Sequence, residues 1–353
     1  MKHKAHMIAA ALAGTMLAGP AFAQETVTIN IGSSHPVQNI WAYAMKNSFQ
    51  PEVDRLLEEA GGNYKVEWVE SYGGTLYKFT DTRAAVSDGI VDIGMVGTVW
   101  EGSAMPLQNV TYFTPFATSD HEMLIEIFDK LTAELPELRE SWEGENMVHL
   151  SSLITDSYDV YANFEINALT DMANRRINAP GTSANWLQQT GATPVDGALT
   201  TYYTDIQTGV SEGALSFASG ILPTRVYEVA PHLTRVGIGA MYFGGIAANK
   251  DFFDSQPEEV QNAIIEAGKA TSRAHGAYVT QQANTAIEKM EAEGLKISEL
   301  PEEEKKKWVE SLPNVVGPWL EANGDAAKTV LKAYFAELRE RGVTPLRNWD
   351  EGL

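Results

Sequence analysis

Apolar and polar residues alternate over Thr26 to Gly32 (TVTINIG), which predicts a half-buried strand, and Ser33-Ser34-His35-Pro36 breaks it. Ile40 to Ala60 carries apolar Ala42, Met45, Val53, Leu56 and Leu57 at helical spacing, and Gly61-Gly62 ends it. Tyr64 to Val69 predicts a second strand, closed by Ser71-Tyr72-Gly73-Gly74, and Asp81 to Asp88 a second helix. Ile90 to Val99 is nearly all apolar, as a strand buried on both faces would be. The alternation of strand and helix predicts an α/β lobe with a largely parallel sheet.

The alternation resumes after a helical region over His121 to Leu138. Strands are expected at Val148 to Thr155, Tyr158 to Phe164, Arg175 to Ala179 and Gly213 to Phe217, with short helices at Ser183 to Thr190 and Tyr203 to Thr208. These predict a second α/β lobe. Pro257 to Gly294 is the longest helical stretch, without an internal proline, and long enough to run along both lobes. No repeat or low-complexity linker separates the lobes. The fold expected is therefore α/β: two lobes with a hinge and a ligand cleft between them, joined by short crossovers.

The N-terminus adds a compartment. Lys2 and Lys4 form a positive start, Met7 to Leu17 is a short apolar run, and Ala21-Phe22-Ala23 offers the small-x-small site of a signal peptidase. A cleavable signal peptide over residues 1–23 is expected, and with it export to a bacterial periplasm. No later stretch has the apolar length of a membrane span. Of the 353 residues, 26 are Lys or Arg and 47 Asp or Glu; without residues 1–23 the net charge is −23. Such a surface argues against nucleic acid and anionic membrane as partners. The absence of cysteine removes disulfides, thiolate metal sites and cysteine nucleophiles together.

Catalytic patterns are missing. There is no Gly-x-Ser-x-Gly elbow, phosphate loop or His-Glu-x-x-His, and Gly237 and Gly239 lack the third glycine of a dinucleotide fingerprint. His35, His121, His149, His232 and His275 are scattered, so no metal site and no cofactor are expected. An exported two-lobed protein without such signatures suits the capture of a small solute in the cleft, at the loops beyond the carboxyl ends of strands.

Six segments carry a resemblance. Gly89-Ile-Val-Asp92-Ile-Gly94, Arg176-Ile-Asn-Ala-Pro180, Gly191-Ala-Thr-Pro-Val195, Gln207-Thr-Gly-Val-Ser-Glu-Gly213, Ala248-Asn-Lys250 and Pro257-Glu-Glu-Val-Gln261 occur in this order. The series resembles the substrate-binding proteins of TRAP transporters, the DctP-like family, over nearly the whole exported chain. The resemblance implies two lobes joined by hinge strands, a long helix spanning both, no enzymatic activity, a monomer, and delivery of solute to membrane permease subunits driven by a sodium gradient. The expected division is 24–154 with about 242–280 in the first lobe and 155–241 with about 281–353 in the second.

The resemblance also implies an arginine that grips a ligand carboxylate in the strand before Pro180, where this chain has Asn178, and a second arginine near Tyr158. Neither Asn nor Tyr supplies the permanent charge and planar fork of a guanidinium. The same loops carry Glu70, Asp156 and Asp159 with Tyr72, Trp100, Tyr158 and Trp186, and carboxylates among aromatic faces attract an amine or quaternary ammonium. The candidate ligand-binding residues are Asn178, Tyr158, Asp156, Trp100, Tyr72, Glu70, His35, Trp186, Phe217 and Phe243, with Asp159 and Arg176 as further candidates. The solute expected is a small cationic or zwitterionic amine such as ethanolamine, choline or a betaine. The alternatives are a small organic acid held by Arg176 and Asn178, an exported α/β hydrolase or isomerase, and a sensing partner of a membrane receptor. Several candidates have an ordinary structural reading as well: Asp156 and Asp159 as solvated acids, Trp100 as a cap on its sheet, and Trp41 as packing.

Overall fold

The structure, a computed structural model, describes residues 24–353, so the expected signal peptide lies outside the described residues. Eleven strands divide between two sheets. β1 (Glu25–Gly32), β2 (Tyr64–Ser71), β3 (Ile93–Gly97), β4 (Met147–Ile154) and β10 (Tyr242–Asn249) form a five-stranded sheet of order β2-β1-β3-β10-β4. β1 runs parallel to β2 and β3, while β10 lies antiparallel between β3 and β4. The second sheet takes β5 (Tyr158–Ala162), β6 (Arg176–Asn178), β7 (Thr193–Val195), β8 (Gly213–Phe217), β9 (His232–Gly239) and β11 (Lys296–Glu299), in the order β11-β9-β5-β8-β6-β7. The chain crosses from one sheet to the other at Thr155-Asp156-Ser157 and returns at Ala240-Met241. Two such short crossovers leave the lobes free to hinge about them.

Proline explains two departures from the expected helices. The helix expected over His121 to Leu138 is two, His121–Glu134 and Pro136–Glu143, with Leu135 extended (φ −94°, ψ 115°) because a residue before proline is pushed out of the helical region. In the 40–59 run, Pro51 lacks an N–H for the turn before it, and the helix widens to a π-turn over Met45–Phe49. The segment expected as a helix from Ser183 forms a 3₁₀ turn over Gly181–Leu187.

The long helix Glu258–Ala292 packs on β4 and on the helices Gln50–Glu59 and His121–Glu134 of the first lobe, and on the helix Ala218–Thr224 of the second. It comes against β4 at Gly268, where a Cβ would lie 2.1 Å from the Leu150 carbonyl oxygen. Further along, Ser272 Oγ accepts from the Ser152 N–H at 2.9 Å and His275 reaches the backbone of Ile154, so the helix fixes the hinge end of β4. The final helix Val316–Glu340 packs on His121–Glu134 and Pro136–Glu143. Its apolar side, with Val330, Leu331, Tyr334 and Phe335 buried, finds its partners there.

Candidate ligand cleft

Both lobes supply aromatic rings to the space between them. From the first come His35 after β1, Trp41 in the following helix, Trp100 after β3 and Phe243 in β10; from the second come Tyr158 in β5, Phe217 in β8 and Tyr202. With Val99, Pro180, Ala198, Leu199 and Ser216 they line a cavity of about 10 Å³, room for about one water molecule with the lobes together. Trp41 and Phe243 stack at 3.4 Å, Trp100 meets Phe243 edge-on at 5.4 Å, and Phe217 lies 5.7 Å from Trp41 and 5.2 Å from Tyr158. The wall is therefore continuous across the lobes.

The lobes are closed on each other. Trp100 Nε1 donates to the Gly197 carbonyl at 3.3 Å, Thr182 Oγ1 to Asn109 Oδ1 at 3.1 Å, and Gly181 (φ +46°) lies so near that a Cβ would stand 2.0 Å from the Val99 carbonyl oxygen.

No Lys, Arg, Asp or Glu lines the cavity. Its polar points are few. His35 is fully buried, its Nδ1 lies 3.0 Å from Ser34 Oγ, and its Nε2 has no partner. Burial holds the imidazole down at about 4, so the ring is neutral at neutral pH. Tyr158, Tyr202 and Ser216 bring hydroxyls to the same wall.

The remaining candidates take up other positions. Asn178 is buried in the second lobe, where its Nδ2 donates to Asp205 at 3.1 Å and its Oδ1 accepts from Ser211, so both ends of the amide are engaged. Arg176, on the same strand, is exposed, and its backbone N–H donates to Glu212. Asp156 accepts from the Ala218 N–H at 2.9 Å and from the Ser219 hydroxyl, holding the start of the helix Ala218–Thr224. Asp159 accepts from the N–H groups of Val236 and Gly237 at 2.7 and 2.8 Å. Burial pushes both carboxyls up to about 6, and backbone donors satisfy them in place of a ligand. Glu70 pairs with Lys46 and accepts from Gln50 at 2.8 Å, and Tyr72 donates to Gln50, forming a network beside β2 that is separate from the cavity. Trp186 stands behind Tyr158 at 5.2 Å, with Nε1 donating to the Tyr112 carbonyl.

Tyr202 and Leu199 escaped the sequence reading, and Trp41 appeared there as packing. The aromatic character of Tyr202 was visible, but its helix was expected to begin one residue later, at Tyr203. Among the described residues no group of three or more His, Cys, Asp or Glu is placed to hold a metal ion, and no helix is long and apolar enough to cross a membrane.

Two hinged α/β lobes closed over a cavity between strand ends define a solute-binding protein of the periplasmic type. The chain belongs to the bacterial extracellular solute-binding proteins, family 7 (DctP), which it matches over residues 36–322. Members of this family are substrate-binding subunits of transporters and not enzymes. The ectoine-binding periplasmic protein TeaA of Halomonas elongata is 24% identical over 319 residues, covering 85% of this chain and 90% of that protein. The ectoine/5-hydroxyectoine-binding periplasmic protein UehA of Ruegeria pomeroyi is 23% identical over 306 residues, covering 84% of this chain and 90% of that one. Among solved structures, the Bordetella pertussis receptor DctP6, which binds pyroglutamic acid, superposes with a TM-score of 0.78 at 20% identity, covering 88% of this chain and all of that one.

Proposed function

We propose that this protein captures a small cationic or zwitterionic amine in the bacterial periplasm and delivers it to the membrane permease of a TRAP-type uptake system. One observation carries the reading: the cavity is walled by aromatic rings and contains no arginine or lysine, and the position where an arginine would grip a carboxylate is Asn178, already engaged by Asp205 and Ser211. Ring faces attract a desolvated cation by about 2 kcal/mol, whereas a carboxylate without a cationic partner would lose its hydration for little return. The cationic end of the solute lies against Trp41, Trp100 and Phe243. An acidic end, where the solute has one, is met by the unpartnered Nε2 of His35, which donates in the tautomer whose Nδ1 accepts from the Ser34 hydroxyl. Ectoine, a cyclic amidine acid for which two relatives are named, falls in this class.

A thermal-shift screen of the exported chain against ethanolamine, choline, glycine betaine, ectoine, pyroglutamate and glucuronate tests the proposal. A ligand at about 100 times its dissociation constant adds about 2.7 kcal/mol, an easily read shift. Shifts confined to the nitrogen cations and zwitterions are expected. Shifts confined to the acids would overturn the cationic reading while leaving the family assignment untouched.

A further inference from the structure

β4 is an edge strand, and along its first half the helices His121–Glu134, Pro136–Glu143 and Glu258–Ala292 enclose a groove of about 530 Å³ that shares no residue with the cleft cavity. Its charged residues are mostly paired: Arg139 with Glu143 at 3.7 Å, Lys269 with Glu266 at 2.7 Å, and Lys250 with Asp254. Asp129 and Arg273 are left over. Each lines the groove, and among the described residues neither has an ion-pair partner within 4.0 Å. Arg273 acts at longer range on the Asp129 carboxyl and on Glu52, and the Ser152 and Ser272 hydroxyls lie beside Asp129. The groove's lining also includes apolar Leu150 and Ile265 and the buried Trp142. Three further lining groups are incomplete: Thr132 Oγ1, Trp142 Nε1 and His149 Nε2 are buried and without partners. Buried polar atoms are normally satisfied, by protein, water or ligand.

We propose that this groove is a second ligand site, built for a small amino-acid-like zwitterion: its ammonium pairs with Asp129, its carboxylate with Arg273, and its apolar body rests on Trp142, Leu150 and Ile265. One negative and one positive group, too far apart to satisfy each other directly, complement a molecule carrying both charges and leave one charge unanswered in a simple amine or acid. Thr132 Oγ1 offers the remaining hydrogen bond. Occupancy would bear on the cleft through the long helix, which lines the groove at Ser272 and holds the hinge end of β4 at His275.

The probe is L-leucine, with 4-methylpentanoate and 3-methylbutylamine as analogues lacking one charge each. In the ¹⁵N-labelled exported chain the eight tryptophans give separate indole N–H resonances, and Trp142→Phe assigns the one in the groove. Leucine should move the Trp142 resonance saturably, whether or not those of Trp41 and Trp100, in the cleft, respond as well. The two analogues should leave it unmoved, and Arg273→Ala, a change at an exposed position, should raise the leucine needed about tenfold. Asp129→Asn should do the same. A Trp142 resonance unmoved at millimolar leucine would mean a groove filled by water alone and would overturn the proposal. So would movement confined to Trp41 and Trp100, or an unchanged response in Arg273→Ala. Movement confined to Trp41 and Trp100 would place leucine in the cleft, within the class of solute proposed there, so failure of the groove and failure of the cleft reading are told apart.

Discussion

Trp41 and Phe243 lie face to face, with ring centroids 3.4 Å apart and planes within 9° of parallel. One comes from the first helix and the other from the strand that re-enters the first sheet, so the stack ties the beginning of the lobe to its return segment. Trp41 Nε1 also donates to the Ile154 carbonyl at 2.9 Å, just before the crossover into the second lobe. The same rings thus wall the cavity and brace the hinge. Trp41→Ala should cost about 3–5 kcal/mol of stability and abolish solute binding, whereas Trp41→Phe should lose about 1 kcal/mol with the Nε1 bond and bind more weakly. Urea unfolding and calorimetric titration of the two variants check this.

Gly181 governs closure. Its φ of +46° and the 2.0 Å separation between its would-be Cβ and the Val99 carbonyl leave no room for a side chain when the lobes meet. Gly181→Ala should hold the lobes apart: small-angle scattering should show no compaction on adding solute, and affinity should drop at least about tenfold. Compaction equal to that of the unaltered protein would refute this role.

Asn178→Arg should redirect the cleft. The guanidinium would replace an amide held by Ser211 and Asp205 and bring the charge that the cavity lacks. Thermal shifts should move from cationic solutes toward carboxylates, with a lower starting melting temperature because a charge is placed at a fully buried position.

Two sets of buried groups oppose each other in acid. Burial holds His35, His149 and His275 at about 4, so between pH 6.5 and 4 the unfolded chain binds protons that the fold refuses, and stability is lost as pH falls. Asp156 and Asp159, raised to about 6, do the reverse: the fold takes up protons that the unfolded chain does not, and stability is gained as pH falls through 6. Among these groups three losses against two gains leave a net downward slope of stability as pH falls from 6 to 4. Removing one gain, as in Asp159→Asn, should roughly double that slope in urea unfolding measured at pH 6, 5.5 and 5.

Much of the fold was legible because its strands and helices obey simple periods. β1, β2, β3, β5 and β8 fall where alternation or an apolar run put them. β9 and β10 did not declare themselves, since Gly237, Gly239, Gly244 and Gly245 punctuate that stretch like a loop. In β10 the glycines answer to packing: a Cβ on Gly244 would stand 2.1 Å from the Val96 oxygen, and one on Gly245 2.7 Å from the Ser151 oxygen. The aromatics of the candidate cleft were legible. His35, Trp100, Tyr158, Phe217 and Phe243 reach the cavity wall because they sit in strands or just after strand ends, where ligand clefts open. The acids were not legible. Asp156 and Asp159 are engaged by the N–H groups of Ala218 and Val236, which lie far along the chain, and nothing in the local sequence reveals such partners.

The most direct test of the cationic reading compares glycine betaine with 3,3-dimethylbutanoate, its isostere with carbon in place of the charged nitrogen, by calorimetric titration of residues 24–353. An aromatic wall without a cationic side chain predicts that betaine binds at least about tenfold more tightly, the margin of a desolvated cation on ring faces. Equal or tighter binding of the dimethylbutanoate would contradict the account and place recognition on the carboxylate.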